Sequence, residues 1–543
     1  MRILGISTAH DSSVAIINDG VVEYFSKEER LTRIKRDRQP FKALQCAVQN
    51  SKGKINFVVI CSPTPKDNFN DLLENYIKKI LNVKVIRFCS YHHLAHASLS
   101  FYNSGFDKAL CFVIDRNGAE LEEKMRESES VFVADYPNNF KPIYKNFFLK
   151  NIGENYDVDN YKIVKSILKE YSDCEIKADS TLNITKVYET ATTLIGQNPL
   201  ENGKTMGLSA YGKDKDFEQL FLNGLPNTNI FLHKNGDDKQ PILKKYLYNQ
   251  TDTVPKENYE LYADYAYQVQ KQTQNVVLEL VKKFVKKTGI HNVCFSGGYA
   301  LNVVTNGFLI KNLPNVNFYF EPLSDDSGNS IGSAMFVYRN ETKDTNIHKL
   351  KHTFFNNIKH NIYVKGESVD EKQISVFLNQ GKSVAVFNEQ AEAGPRSLGN
   401  RSILFSAENK LAKQIINKIK NREWYRPFAC SILKEYSKEY FEMFDLEESP
   451  FMTISFQSKT NKIPGVVHID NSCRIQTVDN QIPHLYNLLQ HFYNISKVPV
   501  LLNTSFNLSG EPLVETPEEA IDVFNRSKID ILWFPEKNIM LTK

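Results

Sequence analysis

An α/β fold divided into at least two domains is the architecture this sequence predicts, on three observations. Short apolar runs of strand character recur at Phe57–Cys61, Ala109–Asp115 and Val293–Phe295, each near a stretch with helical character. The 543 residues amount to roughly three to four times the ~150 of a typical domain, so each domain can bury a core of its own. Hydrophobic residues at 41% and charged residues at 24% are ordinary globular usage, which excludes a collagen-like or coiled-coil chain and long disorder.

In chain order, Arg2–Ile6 reads as a strand that runs into a polar turn containing His10, Asp11, Ser12 and Ser13. Val14–Ile17 and Val21–Phe25, joined by Asn18-Asp19-Gly20, read as a hairpin. The turn before it suits either backbone capture of a phosphate or an ordinary tight bend. Ser90 as N-cap and Gly105 as stop make the segment between them helical. A long helix is predicted over Tyr262–Thr288, with apolar residues at 262, 265, 269, 276, 280 and 284, lysines in its last turns and Gly289 at C′. Those lysines read as a solvated helix end. A strand over Asn292–Phe295 follows, then Ser296-Gly297-Gly298.

Apolar periodicity stops at Tyr338–Lys351, where the domain boundary is placed, giving domains 1–345 and 352–543. The second has its own strands (Ser383–Phe387, Pro499–Leu502, Ile531–Phe534) and helices (Lys410–Lys420, Pro517–Phe524). No internal repeat is visible in the sequence.

The net charge of +4 is too small over this length for a dedicated polyanion binder, so no nucleic-acid partner is expected. The eight cysteines lie at least 15 residues apart, which excludes zinc knuckles and CxxC redox sites; they read as small buried hydrophobes in a reducing compartment. With no secretory apolar segment after Met1 and no run of about 20 apolar residues, a cytoplasmic protein without membrane contact is expected.

Three clusters could do chemistry. In His92-His93-Leu94-Ala95-His96, the helical spacing puts His92 and His96 on one face, able to grip one metal or simply to pack. Asp115, at the end of its strand, and Asp325-Asp326 supply carboxylates. The Gly-rich turns Asn202-Gly203-Lys204 through Gly207 and Ser296-Gly297-Gly298 through Asn302 would let backbone approach a nucleotide, or serve as structural turns. Finally, Arg396, Arg401, Lys420, Arg422 and Arg426 lie among Trp424, Tyr425 and Phe428, which suits recognition of a small anion better than a solvated face. Asn503-Thr504-Ser505-Phe506-Asn507 adds short hydrogen-bonding side chains suited to a nucleotide.

Together these segments resemble, in order and over nearly the whole chain, the O-carbamoyltransferase family that includes nodulation protein U and the cephamycin and tobramycin carbamoyltransferases. The resemblance rests on Gly5-Ile6…His10-Asp11-Ser12-Ser13, His92–Ala97, Lys204–Gly212 and Ser296-Gly297-Gly298. Its most specific marks are Gly394–Ile403, Arg422–Ala429 and Leu502–Asn507.

What the resemblance implies is an N-terminal, two-lobed domain of the actin and sugar-kinase type, shared with threonylcarbamoyl transferases, and a C-terminal YrdC-like α/β domain. The latter would make carbamoyl adenylate from carbamoyl phosphate and ATP, and the former would transfer the carbamoyl group to a hydroxyl of a small metabolite. His92, His96, Asp115 and Asp326 then match metal ligands, for Fe(II) or a similar divalent ion. Asp326 is preferred over Asp325 because the ligand lies two residues before Gly328. Lys420 and Arg426, with Arg396 and Arg422, match the carbamoyl-phosphate site, and Lys204, Gly297, Gly298, Asn302, Ser505 and Asn507 the nucleotide contacts. Mg²⁺ is expected with ATP. His10 is the candidate base for the acceptor hydroxyl.

One departure stands out. The family's Gly-x-Gly-Glu after the ligand aspartate is here Arg116-Asn117-Gly118-Ala119-Glu120, and Arg116 is read as pairing with the acidic run Glu120–Glu129 or as an anion contact. Two rivals are a threonylcarbamoyl-type enzyme acting on tRNA and a non-catalytic nucleotide-binding regulator. The near-neutral charge and the C-terminal motifs count against the first; the second leaves the cations at Lys420 and Arg426 without a purpose. Homo-oligomerisation is left open.

Overall fold

Five of the six residues of β1 (Arg2–Ser7) are buried, and that strand is the centre of the first sheet. The computed structural model describes the chain apart from residues 9, 65–67, 90, 121–124, 150–172, 181–182, 216–218, 223–224, 227–253, 255 and 357–363. It divides into two units: Met1–Glu28 with Asp37–Leu350, and Glu29–Arg36 with Lys351–Lys543. Both are mixed α/β structures.

In the first unit, β1 pairs antiparallel with β2 (Ser13–Asn18), which pairs with β3 (Val21–Lys27). The β2–β3 turn places Asp19 and Gly20 at φ +48° and +80°, the left-handed pair that a two-residue hairpin loop needs. On its other side β1 lies parallel to β4 (Phe57–Cys61), and β4 to β5 (Lys84–Arg87).

The second sheet repeats this plan. Its β6 (Lys108–Ile114) pairs antiparallel with β7 (Met125–Asp135), and β7 with β8 (Asn139–Leu149), while β12 (Asn292–Ser296) lies parallel to β6 and to β13 (Asn317–Phe320). Only β9 (Glu175–Ser180), on the β8 edge, is additional; β10 (Phe221–Leu222) and β11 (Leu225–Pro226) form a separate short ladder. The orders β3-β2-β1-β4-β5 and β8-β7-β6-β12-β13 are therefore equivalent, the two-lobed plan expected of the actin and sugar-kinase type. The repeat is one of connectivity, which sequence comparison of the halves does not reveal.

Two helices form the layer between the sheets: one over Asn329–Thr342 packs on β1, β2 and β4, and one over His92–Ser104 packs on β6 and β12. Their approach depends on glycine. A Cβ on Gly332 would lie 2.0 Å from the carbonyl oxygen of Ala95, and one on Gly5 would lie 1.8 Å from that of Ser330. Backbone cannot yield as a flexible side chain can, so Gly332→Ala should lower stability by about 1–3 kcal/mol in urea unfolding monitored by circular dichroism.

The helix predicted over Tyr262–Thr288 spans Glu260–Thr288 and ends on Gly289 at φ +69°, whose N–H donates to the Val285 carbonyl at 2.8 Å. Residues 202–209, expected as a glycine-rich turn, form a helix instead, and that helix packs on the 260–288 helix. Its packing overrides the turn preference of two glycines. Ser90, expected as an N-cap, lies outside the described residues.

The second unit is built on a nine-stranded sheet ordered β14-β22-β21-β15-β16-β20-β17-β19-β18. These strands are β14 (Glu367–Ser368), β15 (Val384–Phe387), β16 (Arg401–Ser406), β17 (Ala429–Leu433), β18 (Ser455–Gln457), β19 (Ser472–Val478), β20 (Val500–Ser505), β21 (Ile531–Phe534) and β22 (Ile539–Thr542). Apolar residues of the helices Glu371–Asn379 and Pro483–Ser496 join Val384, Val386, Leu404 and Trp533 in one core on a face of this sheet. Among the described residues no helix is long and apolar enough to cross a membrane.

Candidate functional site

In the first unit, four residues from three elements converge. His92 and His96 come from successive turns of the 92–104 helix, Asp115 follows β6, and Asp326 lies in a short turn at Asp326–Gly328. One donor atom from each lies within 4.8 Å of all the others, and all four residues are buried. His92 Nε2 is 3.5 Å from Asp115 Oδ2 and 3.4 Å from Asp326 Oδ1, and His96 Nε2 is 3.5 Å from the same Asp326 oxygen.

These separations are long for hydrogen bonds, but they match the ligand–ligand edges of a shell with bonds of roughly 2.1 Å. The buried Oδ1 of Asn329 has no hydrogen-bond partner among the described residues, while its amide nitrogen sits 3.0 Å from His96 Nε2. Two imidazoles, two carboxylates and an orphan amide oxygen fit a first-row divalent ion better than the all-oxygen shells of Ca²⁺ or Mg²⁺.

Outer contacts orient each ligand. His96 Nδ1 is 3.3 Å from Ser296 Oγ, and Asp115 Oδ1 accepts from the Gly298 N–H at 3.0 Å. Gly297 makes that contact possible: it lies at φ +85°, and a Cβ there would meet the Ile114 carbonyl at 2.5 Å. Burial opposes charge on His92, but the Asp326 and Asp115 carboxylates win and raise its pKa well above the usual value. Burial likewise opposes charge on Asp115 and Asp326, and the facing histidines hold both below the usual carboxylate range.

The turn after β1 faces this cluster. His10 Nε2 lies 3.8 Å from Asp326 Oδ2, and its Nδ1 lies 2.9 Å from Asp11 Oδ2. The Asp326 carboxylate raises the His10 pKa to about 9, against a smaller opposing effect of burial. Buried Lys27, from the end of β3, spans Asp11 (3.5 Å) and Asp325 (3.1 Å), so Asp325 belongs to an ion-pair network while Asp326 faces the histidines. No local motif singles out Lys27 in the sequence.

His93 points the other way. Its Nδ1 is 2.7 Å from Ser130 Oγ, burial lowers its pKa to about 3, and a buried Glu127–Lys145 ion pair lies alongside. Among the described residues Arg116 pairs outside the acidic run. It makes a bidentate contact with Glu189 of the 184–194 helix at 2.6 and 2.7 Å, and Arg126 is the residue that pairs with Glu120. That helix is fixed to the metal-ligand turn, because Thr185 Oγ1 donates to the Asp115 carbonyl at 2.7 Å.

Glu321 sets the spacing between the 92–104 helix and the Asp326 turn: Asn103 Nδ2 donates to it at 3.0 Å, and the Leu323 N–H at 3.0 Å. Burial pushes its pKa up to about 7 from an ordinary 4.5. A carboxyl that prefers to stay protonated in the fold lowers stability as pH rises through that interval. Glu321→Gln should therefore gain on the wild type between pH 5 and 8 by on the order of 1–3 kcal/mol, read from urea midpoints at the two pH values.

In the second unit, Lys420 is 2% exposed and ends its helix against the turn after β20. Its Nζ donates to the Ser505 carbonyl, to Ser505 Oγ at 3.2 Å, and to the carbonyl and Oδ1 of Asn507 at 2.9 and 3.0 Å. Burial, reinforced by Arg422 and Arg426, holds its pKa well below that of a free lysine. Burial and Arg426 do the same to Arg422, while burial, Arg396 and Arg426 do so to Arg474. Arg474 Nε is buried with no hydrogen-bond partner among the described residues.

Arg396 and Arg426 are thus the like charges that help to depress Lys420, Arg422 and Arg474, with Glu423 a carboxylate that meets Arg426, at 3.5 Å. Such an arrangement is costly unless an anion completes it. Arg474, in the alternating strand β19, was not predicted: nothing in its local sequence distinguishes it from an ordinary strand arginine. Arg401 stands apart from these five. It stacks on Phe387 at 3.6 Å and donates to the carbonyls of Asn388, Glu389, Asn400, Val514 and Glu515, so it knits loops together.

The first-unit residues expected at a nucleotide have other contacts. Gly298 holds Asp115, Lys204 pairs with Glu201 at 2.8 Å, and Asn302 caps the 303–312 helix by accepting from the Thr305 N–H at 3.1 Å.

The descriptions "Carbamoyltransferase N-terminus" and "Carbamoyltransferase C-terminus" match residues 66–335 and 375–542. "Uncharacterized protein sll1178" of Synechocystis sp. is 28% identical over 100% of this chain and 97% of its own length. "Nodulation protein NolNO" of Sinorhizobium fredii is 25% identical over 96% of this chain and 77% of its own. The crystal structure of T.kodakarensis HypF is similar over 63% of this chain and 48% of that one, at 12% identity and a TM-score of 0.41.

Proposed function

The chain belongs to the carbamoyltransferase family, and on that premise we propose that it is an ATP-dependent O-carbamoyltransferase with two reaction centres. The second unit, read as YrdC-like, converts carbamoyl phosphate, ATP and one water to carbamoyl adenylate, phosphate and pyrophosphate: water cleaves carbamoyl phosphate to carbamate and phosphate, and the carbamate oxygen displaces pyrophosphate from the ATP α-phosphorus. The first unit moves the carbamoyl group to a hydroxyl of a small metabolite and releases AMP. The observation that carries this reading is the five-cation cluster of Arg396, Lys420, Arg422, Arg426 and Arg474, whose mutual repulsion calls for a small polyanion.

Guanidinium forks suit phosphoryl oxygens, and Arg426 with Arg474 offers them. Lys420 has its donors committed to Ser505 and Asn507, so its contribution is to shape the nucleotide turn and to add charge. At the other centre His92, His96, Asp115 and Asp326 would hold a divalent ion, of which Fe(II) is one candidate. That ion, when bound, supplies Lewis acidity toward a carbamoyl or phosphate oxygen. A divalent ion held by Asp326 would offset the largest of the carboxylate effects that raise the His10 pKa, those of Asp11 and Asp115 being the others, and so favour the neutral imidazole a base requires. Asp11 then keeps the ring oriented through Nδ1.

Pyrophosphate exchange into ATP tests the first step, and a carbamoyl mass gain on hydroxylated metabolites tests the second. Exchange should depend on carbamoyl phosphate. A requirement for threonine and bicarbonate instead, or ATP binding without turnover, would reject the proposal.

A further inference from the structure

The eight residues Glu29–Arg36 belong to the second unit, although the chain on either side of them belongs to the first. Two arginines hold them there. Arg30, 5% exposed, donates from Nη2 to the Gly394 carbonyl at 3.1 Å. Arg33 donates to the carbonyls of Leu513 (2.5 Å) and Pro512 (2.9 Å) and lies 3.4 Å from Glu519.

The two grips fall at the bases of different binding elements. Gly394 precedes Pro395 and Arg396, and because proline fixes its own φ, the orientation of the Gly394 carbonyl sets where Arg396 starts. Pro512 and Leu513 follow the Ser505–Asn507 turn, to which this stretch is tied by the Val514 N–H donating to Phe506 (3.2 Å) and by Asn507 Nδ2 donating to Glu511 (2.6 Å).

A purely stabilising role explains Arg30 poorly. Its Nε and Nη1 are buried without a hydrogen-bond partner among the described residues, and the Glu29 carboxylate stands 4.0 Å from Nε, too far for a hydrogen bond, so the guanidinium is incompletely satisfied at a cost in stability. Its charge is felt by Arg401 and by Glu515, which both face the same loops.

We propose that Arg30 is a positioning residue of the carbamoyl-phosphate site, fixing the Gly394–Arg396 turn, and that Arg33 is its counterpart for the nucleotide turn. The proposal rests on the reading that the second unit takes carbamoyl phosphate and ATP. Carbamoyl-phosphate-dependent pyrophosphate exchange by the full chain separates the two: no exchange by wild type refutes that reading, and with it this proposal.

Given wild-type exchange, Arg30→Ala should raise the KM for carbamoyl phosphate by about 10-fold and leave that for ATP within about twofold. Arg33→Ala should do the reverse. Arg30→Lys, which keeps one donor for Gly394, should recover at least half of the loss on a logarithmic scale. Should Arg30→Ala fail to fold, Arg30→Lys is read alone, with a rise of about threefold in the carbamoyl-phosphate KM only. Unchanged constants, equal shifts in both KM values in both variants, or a change confined to kcat would overturn the proposal.

Discussion

His96→Ala should lower carbamoyl transfer to the acceptor by about a thousandfold or more and leave pyrophosphate exchange within about twofold of wild type. His96 and Asp326 face each other at 3.5 Å inside a buried cluster, so the variant removes one of its two imidazole donors. Metal analysis gives an independent readout: the wild type should retain about one first-row divalent ion per chain after dialysis, and the variant far less. Asp326→Asn should behave the same way, since an amide is a poorer ligand and takes away one negative charge. Asp325→Asn should not, because that carboxylate answers Lys27. Loss of exchange and transfer together in His96→Ala would show that the two centres are not separate.

Lys420→Ala is expected to give the opposite pattern. Exchange should fall by on the order of a thousandfold, whereas transfer from chemically supplied carbamoyl adenylate should persist at near wild-type rate. The loss has two sources: one cation of the five is removed, and the Ser505 and Asn507 oxygens lose their common donor. Lys420→Arg should not restore activity, because a guanidinium has no room where the ammonium now meets four oxygens in a buried turn. Arg474→Ala should raise the KM for carbamoyl phosphate by about 10- to 100-fold with a smaller effect on ATP, because its Nε is a buried donor of this cation cluster without a hydrogen-bond partner among the described residues. Equal loss of transfer from supplied adenylate in Lys420→Ala would contradict this division of labour.

Much of this molecule is legible in its sequence wherever the information is local. The hairpin of β2 and β3 follows from Asp19-Gly20, and the end of the long helix from lysines and Gly289. The i, i+4 histidines fall on one face because helix geometry requires it. What the sequence hides depends on long-range register. Lys27 meets Asp325 across 298 residues, Arg116 meets Glu189 across 73, and Arg474 joins cations from other loops. The 202–209 segment carries turn residues yet is helical, because packing on a long neighbour outweighs glycine's weak preference. Asn302 and Gly298 sit in a motif suited to a nucleotide, and the structure adds contacts the motif does not show: a helix cap for Asn302 and a hydrogen bond to Asp115 for Gly298.

The discontinuous make-up of the second unit also bears on the order in which the protein is made. Synthesis delivers Glu29–Arg36 first and the remaining pieces of that unit only after residues 37–350 have emerged. The N-terminal unit can therefore condense on the ribosome while one short loop of it stays unfilled, waiting for a partner that is still untranslated. Completion of the C-terminal unit is the last event, and it closes the chain into a loop whose two ends are anchored in the same nine-stranded sheet unit. A protease cut near residue 350 would accordingly leave two fragments held together by Arg30 and Arg33, not two free domains.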